Sequence, residues 1–162
     1  IHDLLPNRTG GVIMQNNLEI LGDIQYTKEE IDFAHEMQKN NGKPLLGIDG
    51  KIRPLRETLE SPGGGSTDVG DVSYNVPVVS LAATTAPKGV PWHSWSVVAS
   101  AGMSIGHKGM LHAAKALGMS MIDIYKDKKL REDIKKEFDE RIGDYEYDPY
   151  LNPGPPPIDY VD

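Results

Sequence analysis

A chain of 162 residues can bury about 70% of the surface its unfolded form exposes, enough for a core without covalent staples. It contains no Cys, which excludes thiolate metal ligands and cysteine nucleophiles and points to a reducing, cytoplasmic setting. Seventeen basic against 24 acidic residues give a net charge of −7, a poor match for a phosphate backbone, and no apolar run approaches the roughly 20 residues of a membrane span, so neither nucleic acid nor membrane is expected as a partner.

In chain order, "HDLLPNRTGGVIMQNNLEILGD" predicts a helix carrying Val12, Ile13, Leu18 and Leu21 and ending at Gly22. "YTKEEIDFAHEMQKNNG" predicts a second: Thr27 followed three residues later by Glu30 is a capping box, Ile31, Ala34, His35 and Gln38 share a flank, and Gly42 stops it. His35 has no partner at ligand spacing and is read as a packing or surface side chain. From Lys43 to Gly65 the periodicity is lost to Pro and Gly, which predicts a long loop with one short turn at "RETLE".

Gly63, Gly64 and Gly65 let the backbone pass close to a ligand, and Ser66, Thr67 and Asp68 are cap residues for a short helix running to about Tyr74. A helix start after such a loop presents free N–H groups to an anion, although the spacing matches neither the dinucleotide fingerprint nor the P-loop, and on these residues alone a plain capped helix after a linker is the slightly better reading. "VPVVSLA", residues 76–82, is a β-branched run bounded by turn signals and predicts a strand buried on both faces. If a tight turn joins that helix to the strand, the glycine loop and His93 of "GVPWHSW" meet at one sheet edge, with Trp92 and Trp95 as walls. Beyond it, Met110, Ala113, Ala114, Leu117, Met121 and Ile124 form the inner stripe of a long helix packed on the sheet. A last helix from about Asp127 to Ile142 takes Asp127 as cap, Leu130, Ile134 and Phe138 as inner face and Gly143 as stop, and its charge run reads as a solvated face. The acidic, Pro-rich residues 143–162 predict an extended tail.

A neutral imidazole such as that of His93 ligates zinc or manganese, and it also serves as a general base or an oxyanion donor. His107 and His112 are five apart and lie on different helix faces, and no HExxH is present. "GGGSTDVGDVSYNVPVV" followed by "GVPWHSW", "SIGHKGMLHAAKAL" and the earlier "HDLLPNRTGGVIMQNN" together resemble the carboxyl-terminal part of a zinc peptidase family that includes glutamate carboxypeptidase, aminoacylase and N-acyl amino acid amidohydrolases. The resemblance implies an α/β fold, part of a mixed-sheet catalytic domain covered by helices over residues 1–142, with the tail at 143–162. It implies His93 as a metal ligand for zinc or manganese, Gly64, Gly65, Ser66, Thr67 and Asp68 near the substrate carboxylate, and Trp92 stacking on an aromatic acyl group. The implied reaction is metal-dependent hydrolysis of the amide bond of small N-acyl amino acids such as aminobenzoyl-glutamate, by a complete protein that can form a homodimer. The family's His-x-Asp ligand motif and its Glu-Glu pair are absent from this sequence, so the chain is expected to be an inactive fragment with no catalytic base of its own.

Two other readings use the same residues. One is a noncatalytic α/β module that grips a carboxylate at 63–68 with help from Trp92 and Trp95. The other is a structural domain in which both Trp side chains are core and His93 is buried and satisfied.

Overall fold

The computed structural model describes residues 2–56, 67–149 and 154–155. Six helices stand in the order α1 Arg8–Leu21, α2 Lys28–Asn40, α3 Val69–Ser73, α4 Trp95–Ala101, α5 Ser104–Lys126 and α6 Lys128–Ile142. The ends of α1, α2 and α6 follow from local chemistry. Asn7 caps α1 by accepting from Gly10 N–H, Gly22 closes it with a positive φ of 74°, and both halves of the Thr27–Glu30 capping box are made on α2. The Asp127 side chain accepts from Leu130 N–H at 3.0 Å to open α6, and Gly143 closes it at φ 55°. Four exposed Lys–carboxylate pairs at i,i+4 run along α6, the solvated face its charge run predicts; at such exposure each adds little to stability.

The core is small and helical. α1 packs on α5 and α6, α5 on α4 and α6, around Met14, Ile105, Ala116 and Ile134, all at most 7% exposed. Asn17 on α1 donates to Ser120 Oγ (3.0 Å) and Asp123 (2.8 Å) on α5, fixing the register of that pair. α2 joins through charge. Glu30, buried at its amino-terminal end, accepts from Lys108 at 2.6 Å and from Ser104 on α5. Burial opposes ionisation of this carboxyl, but the bonds from Lys108, Ser104 and Thr27 outweigh it and hold its pKa below the usual range. Burial, with Glu30 and Asp49 adding, pushes the Tyr26 phenol beside it up to about 12. Among the described residues no helix is long and apolar enough to cross a membrane.

Two expectations are overturned. The fold is helical, and no strand or sheet forms among the described residues, so the α/β mixed-sheet assignment is wrong for this structure. Residues 76–82 belong to neither helix nor strand. A β-branched run becomes a strand only when a neighbour takes its N–H and C=O groups, and residues 77–83 make no backbone–backbone hydrogen bond to any described residue. The inner stripe of α5 is also displaced. Met110, Leu117 and Met121 are 58%, 43% and 69% exposed, and the face that packs is Ile105, Gly109, Ala116 and Ser120. The small residues decide it. A Cβ at Gly109 would collide with the carbonyl oxygen of Thr84, so the chain at 84 lies directly on α5. Gly109→Ala is therefore expected to lower stability by about 1–2 kcal/mol, read as a shift in urea midpoint at unchanged slope.

α3 has only five residues, shorter than the predicted helix to Tyr74. Asp68 stands at its N-cap without a side-chain cap bond, while Thr67 Oγ1 accepts from Val69 N–H at 3.3 Å. It is held by the amino-terminal segment: Ser73 Oγ accepts from Leu5 N–H (2.8 Å), and His2 Nδ1 lies 2.9 Å from Asp71. Tyr147 donates to the same carboxylate at 3.1 Å, so part of the predicted tail is tied to the body.

Candidate functional site

Gln38 sets the site's framework. Its side chain, fully buried on the last turns of α2, accepts from Gly47 N–H at 3.0 Å and donates to the carbonyls of Gly47 (3.0 Å) and Lys88 (2.8 Å). Lys88 N–H returns a bond to Gly47 O at 3.0 Å, and Thr84 Oγ1 donates to Asp49 O at 2.5 Å. The long loop after α2 and the segment before Trp92 thus run together, and between them and α1 opens a groove of about 920 Å³.

All of residues 78–90 line this groove, with Met14, Leu18 and Leu55 opposite. Trp92 stands at it, 70% exposed, and His112 reaches it from α5. Among the described residues six cations also line it, Arg8, Lys51, Arg53, Arg56, Lys88 and Arg141, against one carboxylate, Asp49. The guanidinium of Arg53 bonds Asp49 at 2.9 Å and, with Lys51 N–H donating to it, holds that carboxyl below the usual range.

The predicted site residues are partly brought into view. Gly63, Gly64, Gly65 and Ser66 lie outside the described residues, as does most of the turn expected at "RETLE". Thr67 and Asp68 are exposed at the start of α3, and among the described residues no hydrogen bond, ion pair or ring contact joins them to Trp92 or His93. His93 is exposed in the turn before α4 and is the one non-glycine among the described residues with a positive φ, 59°. That conformation costs an L residue about 1–2 kcal/mol. Trp95, 59% exposed, opens α4 and does not line the groove, so of the two expected aromatic walls only Trp92 is one. Exposure of Trp92, Trp95 and His93 removes the reading in which they form a satisfied core. α4 itself, seven residues after Ser94, whose hydroxyl donates back to Pro91 O and makes no cap bond, carries no periodicity long enough to read in the sequence. The groove's cations are equally unmarked there, scattered between positions 8 and 141.

Among the described residues no three His, Asp or Glu side chains gather as metal donors. The described donor set, one exposed imidazole without a neighbouring carboxylate, does not by itself fit a zinc or manganese ion, whose sites take three or four donors.

Compared with known proteins, the chain is similar to a subunit of the p-aminobenzoyl-glutamate hydrolase of Escherichia coli (strain K12), 32% identical over 157 aligned residues that cover 82% of this chain and 33% of that protein. The two are homologous, as the sequence motifs indicate, and the chain spans about one third of its relative's length. No family model matches the chain, and no solved structure does.

Proposed function

We propose that the chain is one part of an amidohydrolase that cleaves the amide bond of small N-acyl amino acids such as aminobenzoyl-glutamate. The homology to a hydrolase subunit carries this reading. The chain corresponds to one third of that relative, and the reading assigns the general base and most metal donors to sequence outside it. Within the chain it gives His93 one contact to a divalent metal, zinc or manganese, gives Thr67 and Asp68, with the adjoining glycines, the substrate carboxylate, and gives Trp92 the aromatic acyl group. The complete protein would act in the cytoplasm as a metallopeptidase-like enzyme, with a homodimer as its assembly.

The left-handed backbone at His93 supports its assignment, because strain at an exposed non-glycine residue is retained where a side chain must point in a set direction. The imidazole stands in a turn, next to the groove's only Trp, where it can be aimed without a helix or strand dictating its direction.

The test is carried out on the complete gene product, following release of glutamate from aminobenzoyl-glutamate with zinc or manganese supplied. His93→Ala is expected to lower kcat/KM at least tenfold, and His93→Gly to lower it likewise while leaving the unfolding free energy unchanged or raised by up to about 1 kcal/mol. Loss of activity together with loss of stability in the glycine variant would make His93 structural. No metal-dependent release by the unaltered protein would overturn the hydrolase reading, and binding of the acyl amino acid without turnover would favour the noncatalytic carboxylate module.

A further inference from the structure

Asn41 and Gly42 form the only Asn-Gly step in the chain. They close α2: Asn41 is its C-cap, and Gly42 follows at φ 62°, its N–H bonded to Lys39 O at 3.0 Å. An asparagine followed by glycine carries a reaction of its own, because a residue without a Cβ leaves its nitrogen open to the asparagine's side-chain carbonyl carbon. Beyond its chain neighbours, no described atom lies within 4 Å of the place a Gly42 Cβ would take, so nothing packed there hinders the approach.

The fold restrains that reaction. Asn41 Nδ2 donates to Met37 O and to Ser96 Oγ, both at 2.8 Å. Its ψ of 7° sets the Gly42 nitrogen almost eclipsed with Asn41's own nitrogen, turned away from the side chain it would attack. Bringing it round breaks the bond to Lys39 O and pulls the amide from Ser96, which is fully buried in the first turn of α4. Helix ends open at the least cost, and here Asn41 is half-buried and Gly42 exposed.

We propose that Asn41–Gly42 is a self-modifying site that deamidates through a cyclic imide, at a rate set by the opening of Asn41's bonds to Met37 O and Ser96 Oγ, and that the product unfastens α4 from α2. The Gly42 nitrogen, having lost its proton, attacks Asn41 Cγ; the N–Cγ bond forms, the Cγ–Nδ2 bond breaks, and the nitrogen leaves as ammonia. Water then opens the ring at either carbonyl, giving aspartate or isoaspartate. Either product sets a carboxylate at the C-terminal end of α2, against the negative end of its dipole and with no proton to give Met37 O. Isoaspartate also adds a methylene to the backbone just where the N–H groups of Gly42 and Lys43 bond Lys39 O and Gln38 O.

The test follows the complete gene product in mildly alkaline buffer, with peptide mass spectra reading the exchange of NH2 for OH at Asn41 and chromatography separating the isoaspartyl form. Conversion is expected to run about ten- to a hundredfold faster in urea than in the folded protein. Ser96→Ala, which removes one of the two acceptors, should speed the folded protein about fivefold and leave the rate in urea unchanged. Asn41→Asp should speed amide exchange at 95–101 about tenfold, as α4 loses its tie. Equal rates in the folded and unfolded protein, a folded rate that Ser96→Ala does not alter, aspartate formed without isoaspartate, no conversion of the folded protein on the stated timescale, or unchanged exchange at 95–101 in Asn41→Asp each overturn the proposal.

Discussion

Replacing Gln38 by leucine is expected to lower the unfolding free energy by about 2–4 kcal/mol, although the substitution conserves the buried volume closely. The cost comes from what is left behind. Gly47 N–H loses its acceptor in a buried place, where a polar group without a partner costs about 1–3 kcal/mol, and the part-buried Lys88 carbonyl loses its donor and can turn only partly to water. Gly47 O keeps the bond from Lys88 N–H, so two groups are orphaned rather than three. Gln38→Glu should be worse still, since a carboxylate can accept from Gly47 but cannot donate to either carbonyl, and it would be buried without a cation. Urea titration reads both, as a fall in midpoint with the slope retained. The leucine variant should also speed amide exchange at 84–90, because the bond to Lys88 is what ties the groove's wall to α2. A stability loss under about 1 kcal/mol would mean that loop 43–50 and segment 84–90 are held by other contacts.

The parts of this fold that depend on neighbours in sequence are readable there. Thr27 and Glu30, or Asp127 and Leu130, satisfy each other three residues apart, so the helix starts are visible in the letters. The run at 76–82 has strong β preference, but a strand's identity lies in its partner, and no described residue provides one. On α5 the apolar side chains are spread widely enough to draw more than one stripe. The choice fell to Gly106, Gly109, Ala116 and Ser120, whose lack of bulk lets the end of α4 at Ala101, the chain at Thr84 and α1 come close, so hydrophobicity indicated the wrong face. At the candidate site, Trp92 is marked in the sequence by its rarity and its neighbours. The left-handed backbone of His93 is not, since that conformation favours glycine and nothing local announces it.

The largest pH-dependent effect is expected at Glu137, on α6, which completes a helix start 128 residues away. Its Oε1 accepts from Arg8 N–H and from Arg141 Nε, both at 2.8 Å, and its Oε2 from the N–H and hydroxyl of Thr9, both at 2.7 Å. With Asn7 accepting from Gly10 N–H, each of the first three amides of α1 has an acceptor, and the carboxylate lies against the positive end of the helix dipole. Burial alone would raise its pKa, but the bonds from Thr9, Arg8 and Arg141 outweigh burial and bring it down to about 2. A depressed carboxyl pKa stabilises the fold above its unfolded value of 4.5, and that contribution fades as the pH drops from about 4.5 to about 2. Glu137→Gln should thus cost about 2–3 kcal/mol at pH 7, because the amide keeps one acceptor and turns a donor toward Thr9. The difference between variant and unaltered chain should narrow steadily below pH 4.5 and be small at pH 2. Urea midpoints of both chains across that window measure it, and a gap independent of pH would show that shape, not charge, holds α6 to α1.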